Sequence, residues 1–343
     1  MNGKTILVFG AYGFIATYLI DELLARGHEV IASDVSSEAA DYYGARNVEY
    51  VQLDMTRRGD FARLPHREYD AVVHLAACQP ANVSERAYSA ADYVNTNVIG
   101  TLNILDFCRE NRAGQIVYAS SHRNTQGLWA SPPSPIREES GRALKYSGEY
   151  AMFSISESAA QDCVHHYEAQ YGLPGIVFRL PPVYGYGPHT EIFKEGKPIK
   201  TGFQVFIDRA REGKPLEVWG DASIGRDIIY VKDVVSAFVA AIGKPDIRGL
   251  FNITSGYYLT LREQAETIAR LFWAGPGEPQ IVFRPDIPNG MDSFLYDNAK
   301  ARAALDWSPR FTFRDMLLDY EKEAASRKHR HLIERRRNLF NQA

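Results

Sequence analysis

The 343-residue chain holds 39 basic and 42 acidic residues, a formal charge of −3, with 45% hydrophobic and 24% charged residues. That balance fits a soluble chain able to bury a large core or two lobes, and it gives no overall attraction to nucleic acid. Cys78, Cys108 and Cys163 are too few and too widely spaced for a disulfide framework or a zinc site, so no metal and a reducing, cytoplasmic setting are expected. The sequence enters a strand without a basic-then-apolar leader, and no apolar run approaches the roughly 18 residues of a membrane span, so neither export nor membrane insertion is expected.

In chain order, Lys4–Phe9 reads as a strand, followed by the turn Gly10-Ala11-Tyr12-Gly13 and an amphipathic run ending near Arg26. His28–Asp34, Val48–Leu53 and Asp70–Leu75 are further short strands, a long helix spans about Tyr88 to Asn111, and Gln115–Ala119 is a fifth strand. A second long helix, from near Tyr150 to Tyr171, precedes the strand Gly175–Arg179. This alternation predicts an α/β fold, a doubly wound, Rossmann-like parallel sheet over 1–180, with 227–253 returning to it. Proline-rich loops follow at Ser131–Pro135 and Pro181–Pro188. A smaller mixed lobe over 181–226 and 254–343 contains a helix ending at Arg211, the strand Leu216–Trp219 and the helix Leu261–Phe272. A helix from about Val234 to Ile242 lies between the lobe's two parts. The basic run Arg327-Lys328-His329-Arg330-His331 with Arg335-Arg336-Arg337 reads as a solvated helical tail.

Gly10 and Gly13 stand between a strand and a helix, where glycine admits unusual dihedrals and lets backbone N–H groups and the helix N-terminus meet a pyrophosphate. Asp34 ends the second strand 24 residues after Gly10, placed to accept hydrogen bonds from both adenosine ribose hydroxyls. Its charge would repel the extra phosphate of NADP, so NAD is the expected cofactor. Ala16 takes the third glycine position, which the fingerprint tolerates.

These motifs, with Phe14-Ile15, Leu53-Asp54, His74-Leu75-Ala76-Ala77, Asn97-Val98-x-Gly100-Thr101 and Tyr118-Ala119-Ser120-Ser121, resemble the extended short-chain dehydrogenase/reductases, the NAD-dependent sugar epimerases and dehydratases. The resemblance continues through Tyr171-Gly172-Leu173-Pro174, Val183-Tyr184-Gly185, Gly225-Arg226-Asp227 and Leu305-x-Trp307-x-Pro309, to about residue 320. It implies that Asp54 and Met55 lie at the adenine, that Leu75, Ala76 and Ala77 line the cofactor path, and that Asn97, Ala119 and Leu180 sit by the active centre. Further, Arg226 would clamp a nucleotide-sugar diphosphate, with His122 and Pro182 at the substrate, and a homodimer would form through the two long helices.

The family's tyrosine and its lysine four residues later would fall at Phe153 and Glu157, counting eighteen residues back from Tyr171. Phenylalanine cannot move a proton, and glutamate carries the charge opposite to a lysine that would favour a phenolate. Losing such a group typically costs about 10²–10⁴-fold in rate. Ser121 occupies the position that polarises the reacting oxygen, Tyr150 is the first candidate to replace the missing phenol, and Glu157 could still orient the ribose. Tyr146, Glu149 and His122, expected to be exposed, are further candidates on loops facing the cleft. His165-His166 lacks metal-ligand spacing. Arg284 is displaced from a second clamp position, and the loop Thr190–Lys200 offers Lys194, Lys197 and Lys200. The resulting expectation is an NAD-dependent enzyme acting on a nucleotide-linked sugar by transient oxidation. Its rivals are a catalytically silent NAD-binding relative and, from Ser120-Ser121-His122, a sugar-acid dehydrogenase.

Overall fold

The computed structural model describes residues 3–80, 89–187, 190–194 and 197–334. Seven parallel strands form one sheet, ordered Gly249–Asn252, Gly175–Leu180, Ile116–Ser121, Ala71–His74, Thr5–Phe9, Glu29–Asp34 and Glu49–Gln52. Their apolar runs are continuous because both faces are covered: Ile6, Leu7, Val8, Val72 and Val73 are fully buried. Ile6, Val8, Val73 and Phe178 face the helices Phe14–Ala25 and Val231–Ala241, whereas Leu7, Val72, Ile116 and Tyr118 face Gly100–Glu110 and Ala151–Tyr171. The strand order reverses between Thr5–Phe9 and Ala71–His74, which opens the ligand crevice of such sheets at their carboxyl ends.

The first long helix is not uniform. Ala90–Tyr93 and Gly100–Glu110 are α-helical, and Val94–Ile99 between them winds as a π-helix, a widening that periodicity does not reveal. Its expected start, Tyr88, lies outside the described residues, as do Pro188, the side chains of Lys194 and Lys197, and Arg335-Arg336-Arg337. The second long helix is Ala151–Tyr171, with Tyr150 as N-cap and Gly172 closing it at φ 69°. Serines at 154, 156 and 158 are buried with Glu157; Ser156 meets the first long helix at Asn97, and Glu157 meets the sheet at Tyr118.

The strand Gly249–Asn252 pairs with Gly175–Leu180 at one sheet edge. Outside the sheet, Leu216–Trp219 pairs in parallel with Ile281–Arg284, and Gly225–Asp227 runs antiparallel to Tyr258–Thr260. Asp227 is fully buried there and accepts from the backbone N–H of Ser255 (3.0 Å) and of Tyr296 (3.2 Å), which fastens these segments together. The basic C-terminal segment is not a solvated tail over its described part. His329 is 2% exposed and stacks on Tyr18 at 3.9 Å, His331 lies 4.0 Å from the Tyr42 ring and 5.3 Å from Tyr12, and Leu332 is buried. Lys328 pairs with Asp21 at 3.0 Å. The aromatic face presented by Tyr12, Tyr18 and Tyr42 gives the imidazoles something to stack on, and this outweighs the solvation of the surrounding charges.

Candidate active site

At the crevice, Gly10 has φ +75°, and a Cβ there would stand 2.6 Å from the Ala76 nitrogen and 2.7 Å from its Cα. Glycine is therefore required twice, by dihedral and by backbone approach to the segment after the fourth strand. Gly13 caps the helix Phe14–Ala25 with no side-chain hydrogen bond and no acidic residue in the first turn, leaving its positive end open to an anion. Asp34 accepts from the backbone N–H of Tyr12 (3.1 Å) and of Ser36 (3.0 Å), which fixes the carboxylate beside the loop. Phe14 is buried and Ile15 half-buried behind that loop. Asp54 accepts from the Thr56 N–H and hydroxyl, and Met55 packs beneath Gly100, where a Cβ would meet its Cγ at 2.8 Å. Leu75, Ala76 and Ala77 are half-buried along the same edge. A cradle that a Cβ would fill, an uncapped helix end and a fixed carboxylate together fit an adenine dinucleotide.

The π-helical stretch sets Asn97 inward. Its amide accepts from the Cys78 N–H (2.7 Å), donates to the Cys78 carbonyl (3.0 Å) and donates to Ser156 Oγ (2.9 Å), tying the segment after Ala77 to the second long helix. Phe153 is buried with Cys78 and Tyr93, and Tyr150 packs on it with ring centroids 6.4 Å apart. The Arg123 guanidinium lies 3.8 Å over the Tyr150 ring, and the Arg123 N–H donates to Ser121 Oγ at 3.2 Å. Ser121 ends the fifth strand beside Leu180, and Ala119 and Ser121 are half-buried.

His122 is buried rather than exposed: its ring stacks on Trp129 at 5.3 Å and packs on Phe294, and Nδ1 donates to the Leu180 carbonyl at 3.1 Å. Burial, then Arg123 and Arg226, hold its pKa well below the ordinary value, so it is neutral with the proton on Nδ1. Arg226 Nε donates to the Asp292 carbonyl at 3.1 Å, and its guanidinium lies 5.9 Å from Phe294. The Pro182 carbonyl accepts from the Ile229 N–H nearby. Contacts thus run continuously from Asn97 through Phe153, Tyr150, Arg123 and Ser121 to His122, Trp129, Phe294 and Arg226. Tyr146, at 80% exposed, and Glu149 are not in this chain of contacts; Arg284 pairs with Asp286 and Lys200 with Asp208.

Glu157 points elsewhere. It is 2% exposed and receives the Tyr118 hydroxyl on Oε2 at 2.8 Å. Desolvation raises its carboxyl to about 8, against the lowering effect of the Tyr118 bond, and the Tyr118 phenol is itself raised well above its usual value by burial and by Glu157. Sequence reading did not anticipate this pair, nor the cation–aromatic contact of Arg123. The signal available was Arg123 two residues beyond Ser121, on the strand-end loop. Among the described residues, no group of three metal-ligating side chains converges.

The sheet and crevice have counterparts in known proteins. The chain is 28% identical over 316 residues to a UDP-glucose 4-epimerase of Mycolicibacterium smegmatis, covering 89% of this chain and 93% of that one. It is 27% identical over 334 residues to a dTDP-glucose 4,6-dehydratase of Haemophilus influenzae, covering 91% and 95%. A solved UDP-glucose 4-epimerase of Thermotoga maritima, with UDP-glucose, shares the fold at a TM-score of 0.73 and 23% identity, over 94% of this chain and 99% of that one. Residues 6–254 match a family profile described as NAD dependent epimerase/dehydratase, so the chain belongs to that family, and its cofactor is NAD.

Proposed function

We propose that this protein modifies a nucleotide-linked sugar through transient oxidation of a ring carbinol, with Tyr150 as the proton-transfer group in place of a tyrosine at 153. The observation that carries this reading is the Arg123 guanidinium 3.8 Å over the Tyr150 ring, on the loop that begins at Ser121. Bound NAD supplies a reversible hydride acceptor. Ser121 donates a hydrogen bond to the reacting oxygen and Tyr150, covered by the Arg123 guanidinium, takes its proton. Asp34 holds the adenosine ribose, the open helix end at Gly13 the pyrophosphate, and Phe14, Ile15, Asp54, Met55 and Leu75–Ala77 the adenosine path. Asn97, Ala119 and Leu180 shape the nicotinamide end. Glu157, buried against Tyr118, supports the site from below rather than gripping the ribose through a charge. Arg226 receives the diphosphate, with His122 and Pro182 walling the sugar, and the described parts of 181–226 and of 254–326 form the substrate lobe. Pairing of two copies through Ala90–Glu110 and Ala151–Tyr171 completes the arrangement.

Assay of the NAD-loaded protein against a panel of nucleotide sugars tests this. Turnover should appear, and Tyr150→Phe should lower kcat by about 10²–10⁴-fold with little change in NAD affinity. An unchanged kcat would remove Tyr150 from the role. A second reading, a silent NAD-binding relative, is favoured by Glu157 lying buried where the resemblance expects a lysine. The double variant Phe153→Tyr with Glu157→Lys separates the two: it creates turnover in a silent protein and destroys it in a rebuilt site.

A further inference from the structure

We infer that Arg123 is the receptor for a carboxylate on the sugar end of the substrate, so that the preferred substrate is an acidic sugar. The inference rests on the proposed nucleotide-sugar reading and adds the class of sugar. A half-buried guanidinium ordinarily finds an anion, because burying its charge alone is costly. Three comparably exposed arginines do so: Arg142 pairs with Asp162 at 2.7 Å, Arg67 with Glu49 at 3.0 Å, and Arg209 with Glu217 at 3.4 Å, whereas the buried Arg179 is held by the Asn252 side-chain oxygen instead. Among the described residues neither Arg123 nor Arg226 forms an ion pair with a carboxylate. Asp292 gives Arg226 only its main-chain carbonyl.

Burial and the nearby Arg226 disfavour the charge on Arg123, and the attraction of Asp292 and Glu149, neither of them within ion-pair distance, offsets this only in part. A ligand with two anionic groups gives each arginine a partner. Their placement divides the work. Trp129 and Phe294 pack with centroids 4.4 Å apart; Arg226 lies at the Phe294 end, and Arg123 at the Trp129 end, 5.3 Å from that ring. Arg123 also stands on the loop that begins at Ser121, whose hydroxyl caps the Arg123 backbone N–H, and its guanidinium covers the Tyr150 ring. A diphosphate at Arg226 therefore leaves Arg123 beside the reacting sugar rather than beside the nucleotide. The Tyr150 and Trp129 rings hold the guanidinium by its faces, which leaves its edge donors for a planar, two-oxygen acceptor, the geometry of a carboxylate.

The test uses the full chain loaded with NAD and three probes: UDP-glucose, UDP-glucuronate and free glucuronate, titrated calorimetrically into wild type, Arg123→Met and Arg123→Lys. In wild type, UDP-glucuronate should bind at least about tenfold more tightly than UDP-glucose, the scale of a charge-assisted hydrogen-bonded pair. Arg123→Met should erase that preference, weakening UDP-glucuronate at least about tenfold more than UDP-glucose, and Arg123→Lys, which keeps charge without the fork, should restore only part of it. Retained NAD affinity verifies that each variant is folded, and Arg123→Lys serves alone if Arg123→Met is not. Equal binding of both nucleotide sugars by wild type overturns the inference, as does equal weakening of both by Arg123→Met, which would place the diphosphate at Arg123. If only free glucuronate binds, and does so through Arg123, the carboxylate site stands and the nucleotide reading falls. If no probe binds, both fall.

Discussion

Glu157 is a charged residue in an apolar setting, and its protonation couples stability to pH. Burial raises its carboxyl from 4.5 to about 8. Below about pH 4.5 both folded and unfolded chains hold the proton and the group costs nothing. Between 4.5 and 8 the unfolded chain releases it while the folded chain keeps it, so stability falls with rising pH, by about 1.4 kcal/mol per unit. Above 8 the penalty is full. Glu157→Gln keeps the shape and an oxygen acceptor for Tyr118 without the proton equilibrium. Its stability relative to wild type should therefore rise steadily from pH 5 to pH 8, as followed by urea titration. A difference constant across that range would mean that Glu157 ionises normally in the folded protein.

At the scale of elements, the π-helical stretch Val94–Ile99 is what turns Asn97 onto both backbone groups of Cys78. Asn97→Ala leaves a buried N–H and a buried carbonyl without their partner, a loss of about 2–4 kcal/mol, and should weaken NAD binding because the segment that begins at Leu75 loses its tether. Thermal unfolding and calorimetry would check both; loss of neither would make the contact incidental. The strands around this tether were legible in the sequence, since Ile6–Phe9 and Ala71–Val73 are unbroken apolar runs of the kind that a two-sided sheet demands. Gly10, Gly13 and Asp34 were legible for the same kind of reason, a local geometry with few chemical solutions. The π-widening was not, because the β-branched and asparagine residues of Val94–Ile99 weaken a helix without specifying how it winds. The burial of His122 was hidden too, since it depends on Trp129 and Phe294, the latter distant in the chain, and Glu157, expected at the ribose, is buried instead against Tyr118 of the fifth strand.

For the molecule as a whole, the C-terminal segment closes onto the N-terminal unit. Its basic composition pointed to solvent; the partners that hold it, Tyr12, Tyr18, Tyr42 and Asp21, lie some three hundred residues earlier and could not be seen locally. Truncation after Ser326 removes the buried His329 and Leu332 and should destabilise the protein by about 2–5 kcal/mol, with weaker NAD binding, because Tyr12 belongs to the glycine loop. Chemical denaturation of the truncated chain measures the first effect and cofactor titration the second; an unaltered midpoint would show the contact to be superficial. The same contact orders events during biosynthesis. The tyrosine patch leaves the ribosome some three hundred residues before His329 and His331 do, so the dinucleotide end of the sheet acquires its final packing only once that later segment has been made.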